Sequence, residues 1–198
     1  MTRRRAVMLL TVGLALFAGG CVSRPAAADC AYDRAAMFAL DQQAFDQDLK
    51  GGWRAVANRG CYRQAADLIR DYRKVHPEQP KILYWHEGQM RANAGQVRRS
   101  IPLFEQAKDA GVASPWNLYA DATIAYLRRD RAAFDRAREA LYAIPEPPFF
   151  ARQAEEVERQ LGFRPTWPQN HETVDRLAAC FDQPYEEAYA CPRSAPRP

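Results

Sequence analysis

The chain has 198 residues, long enough for one domain with a real core, and a formal net charge of +4. Three of the positive charges are Arg3, Arg4 and Arg5 at the extreme N-terminus, so a chain cut before Cys21 has 178 residues and carries only +1. That near-neutral remainder lacks the basic field that nucleic acid binding requires, and no basic stripe interleaved with aromatics replaces it.

The three arginines lead an apolar run from Ala6 to Phe17, which reads as a secretory signal peptide over residues 1–20 and is too short to span a bilayer as a mature helix. Ala18-Gly19-Gly20-Cys21 closes the run. These four residues resemble the lipobox of bacterial lipoproteins, with Ala18 in place of the usual Leu. The resemblance implies cleavage before Cys21 and a lipid on Cys21 that anchors the chain to a membrane. With Val22 rather than Asp in the next position, it implies outer-membrane placement facing the periplasm. A second cut stays open after Ala26-Ala27-Ala28, an A-x-A pattern that would release a soluble periplasmic protein beginning at Asp29.

Either cut leaves four cysteines, Cys30, Cys61, Cys180 and Cys191, an even set that an oxidising compartment would pair into two disulfides. Three connectivities exist. The order-local one, Cys30 with Cys61 and Cys180 with Cys191, is favoured because each bridge would staple one end of the chain. A long first helix would carry Cys30 away from Cys61, so this pairing requires that helix to bend or start late. No C-x-x-C occurs, and His76, His86 and His171 stand at no recognised ligand spacing, so neither a metal nor another cofactor is expected.

Strand formers are sparse while Ala, Leu, Arg, Glu and Gln dominate, which predicts an all-α fold. After a linker over 21–30, Ala31, Ala35, Phe38, Phe45 and Leu49 share one face of a capping helix, Tyr32 to Leu49, ended by Gly51-Gly52. A short helix follows from Trp53 to Asn58. Ala65, Ala66, Leu68, Ile69, Tyr72 and Val75 form the next face, ending at His76-Pro77. Val97, Ile101, Phe104 and Ala107 make another, closed by Gly111, and Leu118, Ala122, Ala125 and Tyr126 one more. The capping helix and these elements fill 31–147. Pro145-Glu146-Pro147-Pro148 then breaks the series, and 148–191 forms a C-terminal helical cap. In it lie a helix Phe149 to Leu161, a linker Arg164 to Pro168, and, after Asn170 as N-cap, a helix bearing Val174, Leu177, Ala178 and Phe181. The Pro/Arg-rich tail 192–198 is expected to be disordered.

The helices recur at a fixed step. Ala57-Asn58-Arg59-Gly60 returns thirty-five positions later as Ala92-Asn93-Ala94-Gly95, and Asp130 lies thirty-five beyond Gly95; Tyr72, Ala107 and Tyr142 keep the step, as do Tyr84 and Tyr119. Over residues 46–147 this resembles the tetratricopeptide repeat. Tyr84, Gly88, Gly95, Val97, Ser100, Phe104 and Ala107 stand at the family's packing positions in the second unit, and Gly60, Tyr62, Ala65, Ile69 and Pro77 in the first. The sequence departs at Gly51-Gly52, at Pro102 inside a predicted helix, where a kink or delayed start is expected, and at Arg138 and Glu139, where packing residues belong. The resemblance implies a solenoid of about three stacked antiparallel helix pairs with capping helices at both ends. It also implies a concave face, lined by the leading helices, for a protein or peptide partner. The corresponding positions are Lys50, Arg54 and Asn58; Trp85, Gln89 and Asn93; and Asn117, Ile124 and Arg128. Other roles stay open: Asn58 and Asn93 precede glycines and can simply end helices, Trp85 can be core, and the charged residues can be solvated. The set does not match the pattern that clamps C-terminal carboxylates.

Catalytic motifs are mostly absent, which weakens an enzyme reading without excluding it. His86-Glu87 meets Met90 where a zinc peptidase needs its second His, His171-Glu172 meets Asp175, and no G-x-S-x-G, Walker A, G-x-G-x-x-G or Glu-Ser occurs. The expected function is a non-catalytic protein interaction or scaffold module of a bacterial cell envelope. The alternatives are an envelope enzyme with an unrecognised site, acting for example on cell-wall material, and a structural subunit of a larger assembly.

Overall fold

The computed structural model describes residues 29–78, 81–111 and 113–192. The leader, Cys21, the Ala26–Ala28 cleavage site and the tail beyond Pro192 lie outside them. Among the described residues the fold is all-α, as composition predicts: α1 (Arg34–Phe38), a π-helical turn (Gln43–Gln47), α2 (Gly52–Ala57), α3 (Tyr62–Val75), α4 (Ile82–Asn93), α5 (Val97–Ala107), α6 (Pro115–Leu127), α7 (Arg131–Tyr142), α8 (Phe150–Leu161), α9 (His171–Ala179) and α10 (Tyr185–Tyr189). Helices α2 to α7 pack as successive antiparallel pairs, α2 with α3, α4 with α5 and α6 with α7. No described helix is long and apolar enough to cross a membrane.

The continuous capping helix from Tyr32 to Leu49 does not form. Asp33 caps α1 by accepting from Ala36 N, and Asp41 accepts from Ala44 N at 2.8 Å to start the π turn. Short acidic side chains that capture nearby backbone N–H groups break a helix into pieces. The break lets Phe45 lie flat on Tyr72, ring centroids 3.5 Å apart, while Leu49 is left 74 % exposed. It also frees Cys30 to reach Cys61, the pairing favoured in sequence. Their Cα atoms are 5.6 Å apart, and the Arg59 guanidinium donates to the carbonyls of Asp29 and Ala31 beside the bridge.

Each helix pair turns on a left-handed residue: Gly60, Gly95 and, in the third, Arg129. The third turn is therefore thirty-four residues after Gly95. Asp130 caps α7 by accepting from Ala133 N and does not repeat the glycine's role. Small residues bring helices together as expected, since a Cβ on Gly88 would stand 2.9 Å from the fully buried Phe104 ring. Gly52 has φ +49°, and a Cβ there would lie 2.0 Å from the Phe45 carbonyl oxygen, so the Gly51-Gly52 departure is where α2 abuts the π turn. Pro102 neither delays α5 nor ends it. It sits on the exposed side, where its missing hydrogen bond faces water. Arg138 takes a buried position because Asp175 of α9 accepts from its guanidinium, Nε at 2.9 Å.

Two apolar clusters result. The front one gathers Phe45, Trp53, Val56, Leu68, Ile69, Tyr72 and Leu83; the rear one joins Trp85, Phe104, Tyr119, Tyr126, Phe134 and Leu141 to Val174, Leu177, Phe181 and Tyr185 of the C-terminal segment. That segment is more than an end cap. Helix α9 packs against α6 and α7, and α10, which hydrophobic periodicity does not announce, lies on α4. The Arg129 guanidinium donates to the carbonyls of Phe181 and Gln183, and Cys180 is bonded to Cys191, closing an α9–α10 hairpin. Asn170 precedes α9 as predicted, but with a left-handed backbone and no side-chain cap.

Candidate binding pocket

The buried carboxylate of Asp46, carried inward by the π turn, organises the side chains between the front of the array and the C-terminal hairpin. It is fully buried and accepts from Trp53 Nε1 at 2.8 Å, His86 Nδ1 at 2.7 Å and Gln47 Nε2 at 2.6 Å, with Arg54 Nη1 3.7 Å away. Burial pushes the Asp46 carboxyl up, but the hydrogen bonds from His86 and Trp53 and the charges of His86 and Arg54 outweigh it. The net result lies below the ordinary carboxylate value.

Around this anchor a cavity of about 260 Å³ opens between α2, α4 and α10. Helical spacing explains the wall: His86, Gln89, Met90 and Asn93 share one face of α4, Tyr185 and Tyr189 are one turn apart on α10, and Trp53 and Arg54 come from α2. The Arg54 guanidinium lies over the Trp53 ring, 4.2 Å from its centroid. The Gln89 amide approaches both tyrosine hydroxyls and donates to Tyr189 at 3.1 Å; Tyr189 in turn meets the Tyr119 hydroxyl at 3.1 Å. Burial drives the Tyr119 and Tyr185 phenols well above their ordinary value, so both stay protonated. Asn93 Oδ1 is buried without a hydrogen bond, and Arg54 Nη1 is buried with its ion pair to Asp46 as its polar contact.

Of the nine partner-face positions read from the sequence, Arg54, Gln89 and Asn93 converge here. Lys50 and Arg128 are exposed, Arg128 lying 3.6 Å from Glu105. Asn58 caps the end of α2 and donates to Leu49 O at 3.2 Å, the local role left open for it. Trp85 and Ile124 are each 3 % exposed and sit in the rear core, Trp85 against Phe104, Trp116 and Tyr119. Asn117 is buried and brackets the backbone N–H and carbonyl of Asp109, both at 2.8 Å. The physical reason for this division is packing between neighbouring pairs: α5 and α6 cover Trp85 and the α5–α6 loop engages Asn117, while α10 against α4 leaves Arg54, Gln89 and Asn93 beside a pocket. Sequence reading passed over Asp46, Trp53, His86, Met90, Tyr185 and Tyr189. His86 stands three residues before Gln89 and seven before Asn93, a signal that could have found it, whereas Tyr185 and Tyr189 gave none.

Chemically, Asp46 holds the His86 ring by Nδ1, and His86 is among the residues that line the cavity. No Ser, Thr or Cys is among the described lining residues, and among the described residues no group of three His, Cys, Asp or Glu side chains could hold a metal ion. No family model, curated protein or solved structure matches this chain.

Proposed function

We infer that the chain is a non-catalytic interaction module of a bacterial cell envelope, exported by its Arg-led leader and tethered at the outer membrane through a lipid on Cys21. One observation carries the reading: Arg54, Gln89 and Asn93, three residues assigned to the partner face from the repeat, line one pocket together. The helix-pair architecture suits the tetratricopeptide-like reading, in which stacked pairs present a recognition surface. Two disulfides suit an oxidising, exported environment. The partner is an unidentified protein or peptide that engages this pocket and its rim.

Crosslinking and pull-down from native membranes should retrieve a defined partner that is lost when Arg54, Gln89 and Asn93 are replaced together; retrieval of none would sink the reading. Mass spectrometry of the mature N-terminus tests the tether, since an unmodified Asp29 there would refute lipidation. The Asp46–His86 pair favours a second reading, an envelope enzyme using His86 as a proton acceptor. That reading requires soluble fragments to be released from purified cell-wall sacculi, and release to vanish in His86→Ala.

A further inference from the structure

Three arginines border a second cavity, away from Asp46. Arg63 in the first turn of α3, and Arg98 and Arg99 in the first turn of α5, line a space of about 360 Å³ with Gly95, Gln96 and Val97. All three arginines are exposed, and none forms a hydrogen bond or ion pair with another described residue. The repeat puts them together: Arg63 and Arg98 are thirty-five positions apart, each the second residue of the second helix in its pair, so the parallel helices α3 and α5 present them side by side.

Neighbouring carboxylates are committed elsewhere. Asp67, one turn beyond Arg63, accepts from Arg70 at 2.9 Å and from Arg91 at 2.7 Å, and Glu186 accepts from the Tyr62 hydroxyl. Neither helix has an acidic residue in its first turn, and the Gln96 side chain, which could cap α5, accepts from Arg91 Nη1 at 2.9 Å instead. The three positive charges are therefore uncompensated by the protein. Guanidinium forks match the paired oxygens of a phosphate group, and three of them around one open rim suit a surface that offers several phosphates.

The path of the chain says where such a surface lies. Cys30 is bonded to Cys61, two residues before Arg63, and the Arg59 guanidinium donates to the Asp29 carbonyl at 2.7 Å. Cys21 is eight positions before Asp29, a reach of at most about 29 Å. A lipid on Cys21 would thus hold the end of the fold that carries Arg63 close to the bilayer. We propose that the arginine cavity is the face this protein lays on the membrane, where Arg63, Arg98 and Arg99 bind phosphate groups of anionic phospholipid headgroups. The proposal rests on the tether reading for the nearness of the membrane and is independent of the pocket beside Asp46. A tether raises the local concentration of headgroups, so contacts that are weak singly suffice to orient the chain.

The test is vesicle cosedimentation of the mature chain from Cys21 to Pro198, with both disulfides intact and left unacylated so that no lipid carries it down. Vesicles of phosphatidylcholine alone are compared with vesicles of equal parts phosphatidylglycerol and phosphatidylcholine; inorganic phosphate and hexaglutamate are titrated separately by calorimetry. The chain should bind the phosphatidylglycerol vesicles in preference, less so as salt is added. Arg63→Gln should weaken that binding about 5-fold, and Arg98→Gln with Arg99→Gln about 30-fold, at unchanged melting temperature. Arg136→Gln with Arg152→Gln removes the same charge from exposed, unpaired positions on α7 and α8 and should leave binding nearly unchanged. No preference for phosphatidylglycerol, or an equal loss in the two double variants, overturns the proposal. Phosphate or hexaglutamate binding that the Arg98 and Arg99 replacements weaken, with vesicles ignored, overturns the lipid as its source. An unmodified Asp29 at the mature N-terminus, alongside arginine-dependent vesicle binding, sinks the tether and supports the membrane face.

Discussion

Asp46 ties three elements together through one carboxylate: its own π turn, α2 through Trp53 and Arg54, and α4 through His86. Asp46→Asn removes the charge that these donors share and should lower stability by about 2–3 kcal/mol in chemical denaturation, the range for charge-assisted bonds inside a protein. The pH dependence has a definite sign. Because its folded-state pKa is depressed below the ordinary 3.8, the contribution is fully present above 3.8 and is lost as pH falls through the lowered value. Denaturation midpoints measured down an acid series should therefore fall less steeply for Asp46→Asn than for the wild type. Nothing in the sequence distinguished this aspartate from Asp33, Asp41 or Asp48, since its role depends on His86, forty residues away, arriving within 2.7 Å. Arg54, Gln89 and Asn93 were legible because they fall on repeat-equivalent faces of two helices. The same reasoning swept in Trp85, Asn117 and Ile124, which neighbouring elements cover.

Helix contacts are where local pattern and packing agree best. The Gly88–Phe104 approach sets how closely α4 meets α5, and Gly88→Ala would put a Cβ 2.9 Å from a ring that cannot move freely in a filled core. The gain in helix propensity, up to about 1 kcal/mol, is outweighed by overpacking of about 1–3 kcal/mol. The net expected effect is a loss of about 1–2 kcal/mol, read as a lower denaturant midpoint at unchanged slope; equal or higher stability would show that the pair has room to separate. Helices α3, α5, α6 and α9, each nine or more residues long, were readable from apolar spacing. The five-residue α1 and α10 were not, because so short a helix completes too few turns to show a period. The interrupted cap also escaped the pattern: its apolar positions keep helical spacing through Leu49, but side-chain capture by Asp33 and Asp41 overrides it.

For the molecule as a whole, the C-terminal hairpin completes the rear core and closes the groove, so its staple carries global consequences. Cys180 and Cys191 are 11 positions apart, and replacing both by Ser should lower stability by about 2–4 kcal/mol. In limited proteolysis, cleavage within 170–191 should come first, as α9 and α10 leave the leading helices. Intact resistance of that segment would mean that apolar packing alone holds it. By itself the sequence determined the helical class, the places of α3, α5, α6, α8 and α9 and the helix ends at Gly60 and Gly95, and it favoured the cysteine pairing that forms. These depend on composition, on period, and on residues whose backbone preferences act over a few positions. Only the tertiary structure decided that α10 folds back onto α4 and which predicted face residues are buried. It also brought Arg54, His86, Asn93 and Tyr185 together to line one cavity. Those arrangements arise from contacts between segments as much as 124 residues apart, from Tyr62 to Glu186. At that range no local periodicity records which side chains will meet.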